Sequence, residues 1–138
     1  REERRLGERM VYESKDVAVV ASFAPRGIRE LQLIVKYASS LLDLSDRVLD
    51  EVAKLLCALL RGYSQLGVGS FNTSTYSAGF GEGADYFWTS FRIISRPQPA
   101  MLYTSDTGFM ERFHDEWVIE GFPEDFAKAI RRSLDGVL

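Results

Sequence analysis

At 138 residues, with 46% hydrophobic, 12% aromatic and 27% charged side chains, the chain has the composition of a single globular unit spanning residues 1–138. A chain of this length buries about two thirds of its unfolded surface. A formal net charge of −3 offers no field to draw in a polyanion, so nucleic acid is not an expected partner. No apolar run reaches the roughly 18 to 20 residues of a membrane span and the charged start has no secretory pattern, so no membrane partner is expected and the cytoplasm is the expected compartment.

The chain opens on "REERR" without a Met, which reads as a frayed, solvated start to a piece trimmed from a longer polypeptide. Three β-rich segments follow: "RMVYES", "DVAVVASFA" and "ELQLIVKY", separated by "KD" and "PRGIR". In the third, Leu31, Leu33 and Val35 alternate with Gln32, Ile34 and Lys36, the pattern of a half-buried antiparallel strand.

Next, "LSDRVLDEVAKLLCALLRGYSQLG" carries the clearest helical period. Val48, Val52, Leu55, Leu59 and Leu66, with Leu49, Leu56, Leu60 and Tyr63, form its apolar stripe. Ser45 is the expected N-cap and Gly67 the expected stop, while Gly62 should weaken the helix by up to about 1 kcal/mol relative to Ala. Cys57, the one cysteine, excludes an internal disulfide and is expected as a buried thiol within this helix.

From Ser70 to Pro97 the sequence predicts two antiparallel strands around the glycine-rich "GFGEGAD". Phe87, Phe91 and Ile93 should face one way and Tyr86, Trp88 and Ser90 the other, presenting a bulky apolar surface. "QPAMLYTS" and "MERFHDEWVIEG" are expected as short strands. "FPEDFAKAIRRSL" is the closing helix, with Ala127, Ile130, Leu134 and Phe126 inward and Lys128, Arg131 and Arg132 outward. The fold class is therefore α+β: one antiparallel sheet with a long central helix and a C-terminal helix against it. One Asn and three Gln against 17 Lys and Arg and 20 Asp and Glu suit a thermophilic source.

The segments "GERMVYESKDVAVVASFAPRGIRELQLIVK", "LDLSDRVLDEVAKLLCALLRGYSQLGVGSFN", "FRIISRP", "GFMERFHDEW" and "PEDFAKAIRRSL" resemble, in this order, the C-terminal half of galactose-1-phosphate uridylyltransferase and its relatives. These belong to the histidine-triad-like superfamily. The resemblance implies that fold, pairing with an N-terminal half or a second copy, and a nucleotide or sugar phosphate as ligand. It also places the family's site residues. One histidine position falls on Tyr76 and the H-x-H pair on Trp88 and Ser90; the proline and arginine that follow become Ser95 and Arg96. In the hexose-contacting stretch only Phe109 stays in register, with Phe113 near the tyrosine position and His114 replacing a glutamate.

Phosphoryl transfer through histidine needs an imidazole in line with phosphorus, which indole and phenol cannot supply. Ser90 would need a base within hydrogen-bond reach, and its chain neighbours Thr89 and Phe91 offer none. One His and one Cys in separate elements do not make a transition-metal site, so neither metal nor cofactor is expected. Glu82 and Asp85 read as solvated turn carboxylates, and "GFGEG" matches no phosphate-loop pattern. Arg26, Arg92 and Arg96 suit either an anion or an ion pair with Glu30 or Asp85. Three functions follow: a catalytically degenerate nucleotide- or sugar-phosphate-binding module, the non-catalytic half of an active nucleotidyltransferase or phosphorylase, or a structural dimerisation unit.

Overall fold

The structure is a computed structural model that describes residues 2–79, 85–96, 108–117 and 119–135. Five strands, β1 (Met10–Glu13), β2 (Val17–Ala21), β3 (Leu31–Val35), β4 (Phe71–Tyr76) and β5 (Ser90–Ser95), form one sheet in the order β1-β2-β3-β5-β4. Every pairing is antiparallel. The chain leaves β3, passes through a 3-10 turn at Leu41–Asp43 and the helix α2 (Asp46–Gln65), and returns as the edge strand β4. Helices α1 (Glu2–Leu6), α3 (Phe109–His114) and α4 (Pro123–Leu134) complete the fold. The α+β architecture expected from the hydrophobic periods is the one observed.

One face of the sheet is closed by α2 and α4. Val17, Val19, Leu31, Leu33 and Ile93 from the strands meet Leu55, Leu59, Tyr63 and Ile130 from the helices, all essentially inaccessible to water. Burying each such aliphatic side chain contributes on the order of 1.5–3 kcal/mol. The α2 stripe is narrower and more N-terminal than its leucines imply, because Ala58 and Gly62 lie inward while Leu49 and Leu66 remain exposed. Cys57 is exposed. Two residues beyond the buried Leu55 correspond to roughly 200° of helical rotation, which carries the thiol to the outer face and corrects the expectation of burial.

Gly62 acts through packing as well as propensity. A Cβ there would overlap Ser133 Oγ and lie 3.0 Å from Ile130 Cδ1, so its absence lets α2 and α4 approach. Gly67 follows the helix with φ +77°, the left-handed stop expected of it. Ser45 holds the N-cap position without a side-chain capping bond. Ser40 caps the preceding 3-10 turn, its hydroxyl accepting from the Leu42 amide at 3.3 Å.

Three further expectations are corrected. The start is not frayed over its described residues: Glu2–Leu6 forms α1, Arg4 pairs with Glu13 at 2.6 Å, and the buried Arg9 binds both Glu3 and Glu124. Arg131 turns inward, its Nη1 donating to the carbonyls of Gly7 and Met10 at 2.8 and 2.7 Å. The segment expected as a strand from Met110 onward is helical as α3. Gly108 donates its N–H to Glu111 Oε2 at 2.8 Å, and Asp115 closes the helix at φ 52°. Local capping outweighs the strand-like alternation of so short a run. The strand expected within "QPAMLYTS" lies outside the described residues.

Lys36, placed by alternation on the polar face, is buried beneath an ion pair: Nζ lies 2.8 Å from Glu13 Oε1 and donates to the Ser14 carbonyl. That bond, more than the neighbouring charges, holds the Glu13 carboxyl below its usual range, offsetting desolvation. A lowered folded-state value means stability that is present above the unfolded carboxylate range and lost as pH falls through the folded one. Glu13→Gln should therefore melt below the parent at pH 7, and the gap should close in acid, as read by thermal unfolding across pH. Gly62→Ala should lower stability by about 1 kcal/mol despite its gain in helix propensity. Ser133→Ala in the same chain should recover most of that loss, measured as a double-mutant cycle by urea denaturation.

Candidate functional site

Among the described residues, no helix packs on the face of the sheet turned away from α2 and α4. Antiparallel register sets Tyr76 of β4 opposite Ser90 of β5, Ser74 opposite Arg92 and Asn72 opposite Ile94. On the other side of β5, Gln32 and Ile34 of β3 stand opposite Arg92 and Ser90. Side-chain alternation thus gathers alternate residues of three strands on one surface. Phe91 and Ile93 point toward the core, as expected from the sequence.

Arg92 organises this surface. Its guanidinium carbon lies 5.2 Å over the Tyr76 ring centroid, and Nη1 is 3.3 Å from Glu30 Oε1. The Glu30 side chain is only 1% exposed. Its Oε2 accepts the Arg26 backbone N–H at 2.6 Å, and Gln32 Nε2, 3.5 Å from Oε1, donates to Ser22 Oγ at 2.8 Å. Arg92 Nε is buried with no hydrogen-bond partner among the described residues, as is Thr89 Oγ1. Glu30, Arg92, Tyr76, Ser74, Asn72 and Arg26 help line a shallow pocket of about 130 Å³, large enough for a phosphoryl group or part of a sugar.

The seven candidates from the sequence distribute unevenly. Tyr76 and Ser90 are brought face to face, and Tyr76 enters the pocket. Trp88 precedes β5 and turns to Tyr37, with ring centroids 5.1 Å apart. Arg96 follows β5, exposed, its N–H donating to the Ser70 carbonyl at 2.8 Å. Phe113 and His114 lie exposed on α3, whose cap Asp115 reaches the pocket-lining Arg26 at 3.6 Å. Phe109 begins α3, but its side chain, like Glu82, lies outside the described residues. The open face is not the bulky apolar surface expected from the aromatic run. Apart from Ile94, the even-numbered positions within β4 and β5 carry Asn72, Ser74, Tyr76, Ser90 and Arg92, and Tyr86 and Trp88 precede the paired strand.

Arg92 was weighed from sequence as an anion contact or an ion-pair partner, and Glu30 is the partner it takes. The hub role of Glu30 was not anticipated; the available signal was an acid two residues before Gln32, opening a strand of otherwise buried apolar positions. Among the described residues, no group of three or more His, Cys, Asp or Glu could hold a metal ion.

No protein-family model matches the chain. A protein of Archaeoglobus fulgidus, described as uncharacterized, is 32% identical over 125 residues, covering 91% of this chain. This chain spans only 37% of that relative's length. Among solved structures, a uridylyltransferase superposes with a TM-score of 0.78 at 20% identity, over 95% of this chain and 42% of the other. An ADP-glucose phosphorylase from Arabidopsis thaliana with bound ADP-glucose gives 0.74 at 21% identity, over 94% and 41%. A hypothetical histidine triad nucleotide-binding protein from Sulfolobus tokodaii gives 0.60 at 17% identity, over 92% and 83%.

The fold is histidine-triad-like. Within that class it has the form taken by one half of a uridylyltransferase, consistent with the C-terminal half to which the sequence motifs point.

Glu30→Ala would strip Arg92 of its carboxylate and leave the Arg26 amide unpaired. It should cost about 3 kcal/mol in urea denaturation, against under about 1 kcal/mol for Tyr76→Leu. Equal small effects would show that Glu30 does not hold this surface.

Proposed function

We propose that this chain is a catalytically degenerate uridylyltransferase-like module. Its open face holds the phosphate-bearing end of a nucleotide or sugar phosphate, and it pairs through β4 with a second unit of the same fold. The observation that carries the first part is the pair of facing positions, Tyr76 and Ser90, beside Arg92. At the positions the family resemblance gives to imidazole, this chain has a phenol and a hydroxyl. Neither can attack phosphorus at neutral pH without a base. Binding is a different requirement. Arg92 keeps guanidinium N–H groups beyond the one engaged by Glu30, and its orphaned Nε is a donor that an acceptor oxygen or a bridging water would satisfy.

Pairing is supported by β4. Among the described residues it bonds to the sheet on one side only, and all six of its residues are exposed, including Phe71, Thr73 and Thr75 on the side that α2 and α4 cover farther along. An edge strand with open backbone groups is a template for another strand. A second reading, in which this chain is the non-catalytic half of an active nucleotide-sugar transferase or phosphorylase, is favoured by coverage. The same architecture fills 41–42% of the uridylyltransferase and ADP-glucose phosphorylase chains.

The test is thermal shift and calorimetry with UDP-glucose, ADP-glucose, AMP and galactose-1-phosphate at millimolar concentration. Ligand at ten times its Kd should raise Tm by about 3–6 °C. The rise should vanish in Arg92→Met, judged against that variant's own Tm, with no product released. Sedimentation of the same samples should give the mass of two chains. Turnover of a nucleotide sugar by this chain alone, or a nucleotidylated side chain, would overturn the proposal. Absence of any shift would leave pairing as the sole role.

A further inference from the structure

Glu30 also lines a second and larger concavity, of about 430 Å³, between the β2–β3 connection and the start of α4. Its apolar walls include Pro25, Ile28, Leu66, Ile119, Phe122 and Phe126. The size and mainly apolar lining are those of small-molecule sites.

This cavity is held in shape. Tyr63, buried beneath it, donates its phenol to the Arg29 carbonyl and lies 3.3 Å from the Ile93 carbonyl. Burial, and next the charge of Glu30, push that phenol's pKa upward, so it remains a donor. The bond fixes Arg29, a non-glycine residue, at φ 56°. Left-handed backbone of this kind persists where surrounding contacts enforce it. Arg29 Nη2 then pairs with Glu120 Oε2 at 3.2 Å, tying the β2–β3 connection to the segment that enters α4.

The polar groups define what would fit. Glu30 is engaged by Arg92 and Glu120 by Arg29, whereas Asp125 makes no hydrogen bond or ion pair among the described residues. The α4 N-terminus offers an anion little. Pro123 has no N–H, and the first turn carries two acids, Glu124 and Asp125. A cation is favoured over a phosphate. Phe122 is largely exposed, leaving an aromatic surface beside the carboxylate.

We propose that this cavity is a second ligand site, distinct from the open-face pocket. It takes a small aromatic amine, with its ring against Phe122 and Phe126 and its protonated nitrogen on Asp125.

The test titrates the full chain with 1-naphthylmethylamine and, as the same ring with opposite charge, 1-naphthylacetate, followed by calorimetry and ligand-observed NMR. The amine should bind about tenfold more tightly than the acid or better. Ala129→Phe, which fills the cavity, should abolish binding, and Asp125→Asn should bring the two ligands within about threefold of each other. Saturating AMP should not displace the amine. If Ala129→Phe fails to fold, as shown by its melting curve, Asp125→Asn decides. No amine binding at millimolar concentration, equal binding of the acid to the parent chain, undiminished binding in a folded Ala129→Phe, an unchanged preference in Asp125→Asn, or displacement by AMP would each overturn the proposal.

Discussion

A carboxylate almost wholly removed from water, Glu30, is the constraint on which both concave surfaces depend. Burying such a charge costs several kcal/mol unless hydrogen bonds and an opposite charge compensate. Here the compensation comes from three directions: the Arg26 amide, the Arg92 guanidinium and the more distant Gln32 amide. Each partner lies on a different part of the chain. Satisfying the charge therefore fixes the β2–β3 connection against β5. The neighbouring Tyr63 phenol holds the adjacent Arg29 carbonyl from the core side. One electrostatic requirement thus shapes the pocket on the open face and the cavity beside α4 together.

On the reading proposed above, a sheet surface loses one chemistry without losing its scaffold. Pairing of β4 with β5 depends on backbone hydrogen bonds and on core-facing residues such as Ile93, which are indifferent to what the opposite face carries. Phenol at Tyr76 and hydroxyl at Ser90, where the resemblance expects imidazole, sit on an intact ladder. A guanidinium stacked on Tyr76 then supplies positive charge where a reactive nitrogen would be required for transfer.

The parts of the fold visible in the sequence are those governed by burial of continuous elements. Alternation at Leu31, Leu33 and Val35 and the helical period from Val48 to Tyr63 both reflect one face meeting one core, so each can be read from its own segment. Features fixed by distant partners were not visible. Arg131 is a basic residue in the last turn of a helix and reads as solvated, yet its partners are carbonyls more than 120 residues away. Lys36 and Glu13 are similarly separated by a hairpin. The aromatic run misled for a related reason. Strand parity places side chains only where the strand exists, and β5 begins at Ser90, after Tyr86 and Trp88. The resemblance leads to Tyr76 and Ser90, which the register sets opposite each other, whereas it gives Glu30 only as the start of a strand and not as the centre of an ion-pair network.

The two proposed sites call for ligands of opposite charge although one side chain borders both. On the open face Arg92 answers the buried Glu30 charge and Arg26 lies 3.6 Å from Asp115, so the anion proposed there would be held by the guanidinium N–H groups that these pairs leave over. On the cavity side Arg29 is neutralised by Glu120, and α4 opens with two acids and a proline, leaving Asp125 as the unengaged charge. Coulomb interactions fall off quickly through protein and salt, so surfaces on opposite sides of a paired carboxylate can keep separate preferences. They remain linked mechanically. Any ligand that draws Arg92 away from Glu30 weakens the contact that anchors the β2–β3 connection, and that connection forms a wall of the cavity.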